Sequence, residues 1–508
     1  MISCSLRLAR LTALIGLAAG SPALLAASCE SLATLQLADT TITSAATVAA
    51  GAFQPPGPAP AAGQASPYAT LPAFCRVTAT VAPTADSDIK IEVWLPLSGW
   101  NGKFQGVGNG AWLGSISMPA LADALRRGYA AASTDTGHVG GSASFALGHP
   151  EKLIDFGYRA VHEMTGKGKA IATAFYDGSA PSRSYFVGCS AGGKQGMKAA
   201  QMFPADYDGI VAGSPGVNWS GRALQTIHVG QAVAKAPLPP AKFPRLHAAA
   251  VQACDAIDGA TDGLIENPRR CSFDPAVLQC AAGADPAACL TPAEVATARA
   301  IYADVVRSDN GDKVVAGLSP GSELGWNTMA GARPFQPGVD LFRYIVFSDE
   351  NWDFNSLNWS TDIDRTRAAS TMMDALDTDL TAFFARGGKI VSYHGWADPQ
   401  ISPGSTVDYY DNVLATMGET AVRDNYRLFM VPGMAHCSGG EGTDQFDMLT
   451  TLEQWVEEDV TPQSVPAARI VDGSTVRTRP LCAWPEVATY DGQGSVDEAR
   501  SFSCQRLE

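Results

Sequence analysis

The sequence predicts an α/β fold, a mostly parallel sheet covered on both faces by helices. Three observations carry that expectation. Strand-like and helix-like segments alternate from about Ile89 onward. The stretch Tyr185–Gly196, YFVGCSAGGKQG, compresses a strand, a tight turn and a helix into twelve residues. The alternation halts near Asn218 and resumes at Leu380.

Residues 1–27 have the plan of a secretory signal. Arg7 and Arg10 are followed by the apolar run Leu11–Leu17, then by Ala23, Ala26 and Ala27 as a small-residue exit. The run is too short to span a bilayer, and no later segment is long and apolar enough. A lipoprotein acylated at Cys29 is the alternative, although Ala26-Ala27-Ser28 approaches that cysteine poorly.

A Pro/Ala/Gly-rich connector, Phe53–Ala65, comes next. Ile89–Leu97 and Lys103–Gly108 read as strands, Ala120–Gly128 as a helix, and Tyr129–His138 as a strand running into a loop. A helix from about Tyr158 to Tyr176 leads into the turn at Ser190. From Asn218 to about Ser370 the chain is rich in prolines, cysteines and tryptophans with little strand periodicity, as expected of a lid inserted between sheet strands. Leu380–Pro399 and Tyr426–Cys437 restore the pattern. The expected division is signal 1–27, core 28–217, lid 218–372 and core 373–508, with no internal repeat.

With 508 residues, 46% hydrophobic, the chain can bury a large core as one extended domain or two. The net charge is −15, with no basic stripe, which disfavours nucleic acid and anionic membrane as partners. Oligomeric state is not legible. Signal removal leaves ten cysteines, an even number that points to disulfides in an oxidising compartment. No CxxC pair is present. Spacing leaves the connectivity open, with 254–271, 280–289 and 482–504 the natural short-range pairs.

Gly188-Cys189-Ser190-Ala191-Gly192 fits G-x-S-x-G, in which a serine sits strained between strand and helix. The five residues alone are a weak signal; the flanking strand and helix strengthen it. Such a serine needs a base and a carboxylate, in the chain order Ser, Asp or Glu, His. Asp398 falls just past a strand in KIVSYHGWADP, and His436 does so in LFMVPGMAHC. A lone histidine is usually structural, and His394 is the rival, read as a strand-end residue near the pocket. Asp424 and Asp444 read as solvated.

A developing oxyanion needs donors, and the backbone N–H of Ala191 is the first. Gly106–Trp112, GVGNGAW, would supply a second near Gly110 or Ala111, unless it is an ordinary glycine turn. Asp255, Asp258 and Asp262 lie in CDAIDGATDGLIENP, a loop that suits Ca²⁺ or is simply an Asp/Gly turn. It is not an EF-hand loop.

Taken together, these segments resemble the tannase and feruloyl esterase family, which includes mono(2-hydroxyethyl) terephthalate hydrolase. The resemblance runs from about Cys29 to Cys504 and rests on GCSAGG, FPADYDGIVAGSPG, the Asp/Gly loop, HGWADP, VPGMAHCSGG and RTRPLC. It implies an α/β-hydrolase core with a large lid between the serine and aspartate strands. It implies a Ser190–His436–Asp398 triad and five disulfides: Cys189–Cys437, Cys29–Cys75, Cys254–Cys271, Cys280–Cys289 and Cys482–Cys504. It also implies a structural calcium held by Asp255, Asp258 and Asp262 and the carbonyls of Ala260 and Leu264.

The expected activity is that of a secreted or periplasmic serine esterase acting through an acyl-enzyme on feruloyl, caffeoyl or galloyl esters. Trp326, Phe342, Tyr344, Phe347 and Trp352 are candidates for the acyl pocket. Terephthalate monoester hydrolysis is the alternative, but the arginine that binds the substrate carboxylate there has no clear counterpart between Leu318 and Asp364. Arg333, Arg343 and the nearby Arg365 are present, but the resemblance assigns none of them to that role. A prolyl-oligopeptidase-like peptidase and a non-catalytic exported binding protein are the remaining readings.

Overall fold

The computed structural model describes residue 1 and residues 28–56 and 66–506. The signal reading and most of the Pro/Ala/Gly-rich connector therefore lie outside the described residues. Seven strands precede the lid. They are β1 (Thr40–Val48), β2 (Phe74–Val81), β3 (Ile89–Pro96), β4 (Lys103–Val107), β5 (Ala130–Thr134), β6 (Arg183–Cys189) and β7 (Gly209–Gly213). The lid holds the short hairpin β8 (Val305–Val306) and β9 (Lys313–Val315), and the sheet is completed by β10 (Lys389–Gly395) and β11 (Tyr426–Val431).

The nine sheet strands lie in the order β1-β2-β3-β5-β4-β6-β7-β10-β11. From β5 to β11 every pairing is parallel, whereas β1, β2 and β3 join antiparallel at one edge. The predicted parallel sheet is present. The antiparallel strands β1 and β2 lie outside the segments read as strands: the edge strand β1 is largely exposed and rich in Thr, Ser and Ala, whereas β2 alternates buried Val77, Ala79 and Val81 with half-buried Arg76, Thr78 and Thr80.

Central strands are buried on both faces, as parallel strands between two helical layers must be. On β7, Ile210 and Ala212 face one core and Val211 the other. The first core is covered by the helices Ala160–Phe175, Ala191–Met202 and Pro403–Met417, the second by Met118–Arg126 and Met448–Glu458. The helix expected from Tyr158 begins earlier, at Pro150, and passes through a π-turn at Asp155–Arg159. Pro150 suits a first helical turn, where its missing N–H costs nothing.

Between Gly213 and Lys389 the chain contributes no strand to the large sheet. This segment has a core of its own, in which Val229, Leu246, Ile301, Trp326 and Met329 are buried together. Disulfides Cys254–Cys271 and Cys280–Cys289 lie within it, while Cys29–Cys75, Cys189–Cys437 and Cys482–Cys504 tie other segments. No helix among the described residues is long and apolar enough to cross a membrane.

Candidate active site

Ser190 stands at the end of β6 and caps the helix Ala191–Met202, with φ at +65°. A non-glycine residue holds that conformation only when its surroundings over-determine it. Here the Ser190 N–H donates to the Gly213 carbonyl at 2.9 Å, and the Gly216 N–H donates to the Ser190 carbonyl at 3.2 Å. A Cβ on Gly188 would come within 2.5 Å of the Gly192 carbonyl carbon, and one on Gly108 within 2.5 Å of the Gly192 Cα. The ends of β4 and β6 and the first helical turn therefore touch backbone to backbone.

Asp398 and His436 follow β10 and β11, so all three predicted residues lie past the carboxyl ends of parallel strands, where open α/β sheets bind ligands. His436 Nδ1 is 2.7 Å from Asp398 Oδ2. The carboxylate has no exposed surface, yet its other oxygen accepts the Gln400 and Ile401 N–H groups at 2.8 and 3.0 Å. Burial alone would favour the neutral acid. The charge of His436, with hydrogen bonds from His394 and His436, holds Asp398 well below the usual carboxylate range. His394, read from sequence as a strand-end residue, is fully buried and itself lies 3.1 Å from Asp398 Oδ2.

Cys189 precedes Ser190 and Cys437 follows His436, and these two cysteines are bonded with Cα atoms 6.0 Å apart. The Cys437 N–H also reaches Ser214 Oγ at 3.4 Å. Ala191 is buried at the helix start. On the neighbouring loop Ala111 has φ at +42°, and Gln195 fixes Asn109 by two hydrogen bonds. Among the described residues, neither the Gly110 nor the Ala111 N–H donates to an acceptor in the chain. Both remain available to a ligand oxygen.

The family model for tannase and feruloyl esterase matches residues 75–505. The chain belongs to the tannase and feruloyl esterase family. An uncharacterized esterase of Xanthomonas campestris pv. campestris is 38% identical, over 94% of this chain and 91% of that protein. Mono(2-hydroxyethyl) terephthalate hydrolase of Piscinibacter sakaiensis is 34% identical, over 86% and 85% respectively. The crystal structure of feruloyl esterase B from Aspergillus oryzae matches with a TM-score of 0.88 at 31% identity, covering 94% of this chain and 99% of that one. The sheet with its helical layers is thus an α/β-hydrolase fold, and this member of the tannase and feruloyl esterase family is a carboxylic ester hydrolase.

Of the five aromatic residues expected at the acyl pocket, Phe342, Tyr344, Phe347 and Trp352 gather in one cluster beside Ala191. Ala191 packs in one cluster with Trp112 and Phe156 from the core side and Trp219, Phe342 and Trp352 from the lid. Phe342, Phe347 and Trp352 stack on one another at 4.8 to 6.4 Å between centroids. Trp326 does not join them. It is fully buried against Phe243 and Tyr302 in the lid's own core, and its Nε1 donates to Ser322. Trp112 and Trp219 were not among the expected aromatic residues, although Trp112 lies in the quoted glycine loop.

Two buried cations border this cluster. Lys194 lies against the rings of Phe156 and Trp219, and burial lowers its pKa to about 7. Arg222 is braced by the Gln400 carbonyl at 3.1 Å and lies over Phe335, with no carboxylate partner among the described residues.

The Asp/Gly loop is closed by its own carboxylates. Asp255 accepts from the Asp262 and Gly263 N–H groups, Asp258 from Ala260, and Asp262 pairs with Arg479. Burial pushes Asp258 up to about 6 and the neighbouring Glu266 up to about 8. Four acids here face two arginines, Arg477 and Arg479, so the charge and the hard oxygen donors fit a divalent cation. Among the described residues no three acidic, histidine or cysteine side chains form a metal cage by themselves. Any ion would need backbone carbonyls as well.

Proposed function

We propose that the protein is an exported serine esterase that hydrolyses esters of aromatic carboxylic acids, of feruloyl, caffeoyl or galloyl type, through an acyl-enzyme. One observation carries this reading. The residue before Ser190 is covalently joined to the residue after His436, and His436 is aligned by a fully buried, ionised Asp398.

In this mechanism Ser190 Oγ attacks the ester carbonyl while His436 Nε2 takes its proton. The carbonyl oxygen, now negative, accepts from the N–H groups of Ala191 and of Gly110 or Ala111. Collapse expels the alcohol, which receives the proton from His436. Water, activated by the same imidazole, then attacks the acyl carbon and frees Ser190. Asp398 keeps Nδ1 of His436 protonated, so that Nε2 faces the serine. Tyr344 and Phe347, half-buried on the aromatic cluster around Ala191, would give an aryl acyl group an apolar surface to rest on.

Asp255, Asp258 and Asp262, with the carbonyls of Ala260 and Leu264, would hold a structural Ca²⁺ that offsets the loop's excess negative charge. Five disulfides support an oxidising destination outside the cytoplasm. The test is a panel of methyl ferulate, methyl caffeate, methyl gallate, mono(2-hydroxyethyl) terephthalate and a plain short-chain ester, with fluorophosphonate labelling of wild type and Ser190→Ala. Hydrolysis of the hydroxylated aromatic esters and labelling lost in Ser190→Ala are expected. Activity confined to the plain ester would sink the aromatic-acid reading.

A further inference from the structure

Asp398 serves two histidines. Its Oδ2 lies 2.7 Å from Nδ1 of His436 and 3.1 Å from Nε2 of His394, and the latter also faces the Ile401 carbonyl at 3.2 Å. Neither of those oxygens can donate, so Nε2 of His394 carries a proton. On the other side of the ring, Nδ1 is 2.7 Å from the hydroxyl of Thr406, which can donate to it. One neutral tautomer satisfies all of these contacts. The ring has no exposed surface.

We propose that His394 is a positioning residue for the esterase reaction, locking the Asp398 carboxylate and setting how strongly it acts on His436. The proposal rests on the Ser190–His436–Asp398 reading. With the Gln400 and Ile401 N–H groups on Oδ1 and the two imidazoles on Oδ2, the carboxylate has four donors and one orientation. Each donor also disperses its charge. Removing His394 leaves Asp398 freer to rotate and more attractive to a protonated His436, so turnover falls while the base holds its proton to higher pH. The other charges near this pair are accounted for. Arg222, from the lid helix Trp219–Lys235, is the cation that senses Asp398. On the His436 loop, Glu441 is paired with His247, and Asp444 accepts from the Gly439 N–H.

The test compares kcat, KM and the acid limb of kcat/KM on the best aromatic ester for wild type, His394→Leu, His394→Gln and Thr406→Val, each checked for folding by circular dichroism. Leu removes the donor, Gln returns an N–H near the Nε2 position, and Val removes only the hydroxyl that fixes the ring. His394→Leu is expected to lower kcat by about tenfold or more, keep KM within about twofold and raise the acid-limb pKa by roughly half a unit. His394→Gln should recover most of both effects, and Thr406→Val should show a smaller shift in the same direction. A His394→Leu limb that overlays wild type, with Gln no better than Leu, would reduce His394 to packing and overturn the proposal. If His394→Leu does not fold, a Thr406→Val profile identical to wild type overturns it. Hydrolysis surviving in Ser190→Ala would overturn the triad reading itself, and this proposal with it.

Discussion

Nδ1 of His436 lies 2.7 Å from Oδ2 of Asp398, a carboxylate with no exposed surface. The pair fixes the imidazole tautomer before substrate arrives. Asp398→Asn presents an amide to both histidines and disfavours that tautomer. A fall in kcat of roughly 10⁴ is expected with little change in KM, measured by steady-state hydrolysis. A loss below about tenfold would mean that another group aligns His436.

Gly108 is the point where the Gly106–Trp112 loop meets the helix that Ser190 caps. A Cβ there would lie 2.5 Å from Gly192 Cα and 3.2 Å from Gly188 Cα, all backbone atoms that cannot swing aside. Gly108→Ala should cost roughly 1–3 kcal/mol of stability by overpacking. It should also lower kcat at least about tenfold by displacing the proposed oxyanion donors. Thermal melts and kinetics on the same preparation check both, and a fully active variant would show that the loop adjusts independently.

The Cys189–Cys437 bridge closes a separation of 248 residues. Double replacement by alanine should lower kcat at least about tenfold at temperatures where the far-ultraviolet spectrum is still native. Unfolding should also be easier, since the chain loses a long-range constraint. Full turnover in the folded double variant would show that the bridge does not position Ser190 against His436.

His247, on the lid helix Phe243–Cys254, lies 3.0 Å from Glu323 and 2.7 Å from Glu441, the latter on the His436 loop. Burial opposes its charge, but the two carboxylates raise its pKa to about 9. A raised folded-state value stabilises fully below the unfolded pKa of about 6.5 and is lost as pH rises through 9. The melting temperature should therefore fall between pH 7 and 10, and His247→Gln should fall less over the same range. Parallel curves would place the pH dependence elsewhere.

Calcium removal tests the Asp/Gly loop. Chelation is expected to lower the melting temperature by several degrees, with recovery on adding Ca²⁺ but not Mg²⁺, because a ligand bound only by the folded state stabilises it. Asp258→Asn should blunt that response. A melting curve indifferent to chelator would rule out a bound ion.

How much of this was legible is clearest at particular residues. The sequence by itself determined the parallel core, since buried central strands must be apolar on both faces, and marked Ser190, Asp398 and His436 through local strand-loop patterns. Those signals are short-range and survive in one dimension. It could not rank His394, because an imidazole at the end of a strand reads the same whether it packs or binds. Nor could it separate Trp326 from Trp352, since aromatic residues in a lid look alike until the chain packs.

Tertiary structure decided those cases by burial and contact. It placed Trp326 in the lid's own core, Trp112 and Trp219 beside Ala191, and His394 on the carboxylate that already holds His436. Such assignments depend on which atoms meet after segments tens to hundreds of residues apart are brought together. Spacing along the chain does not encode them.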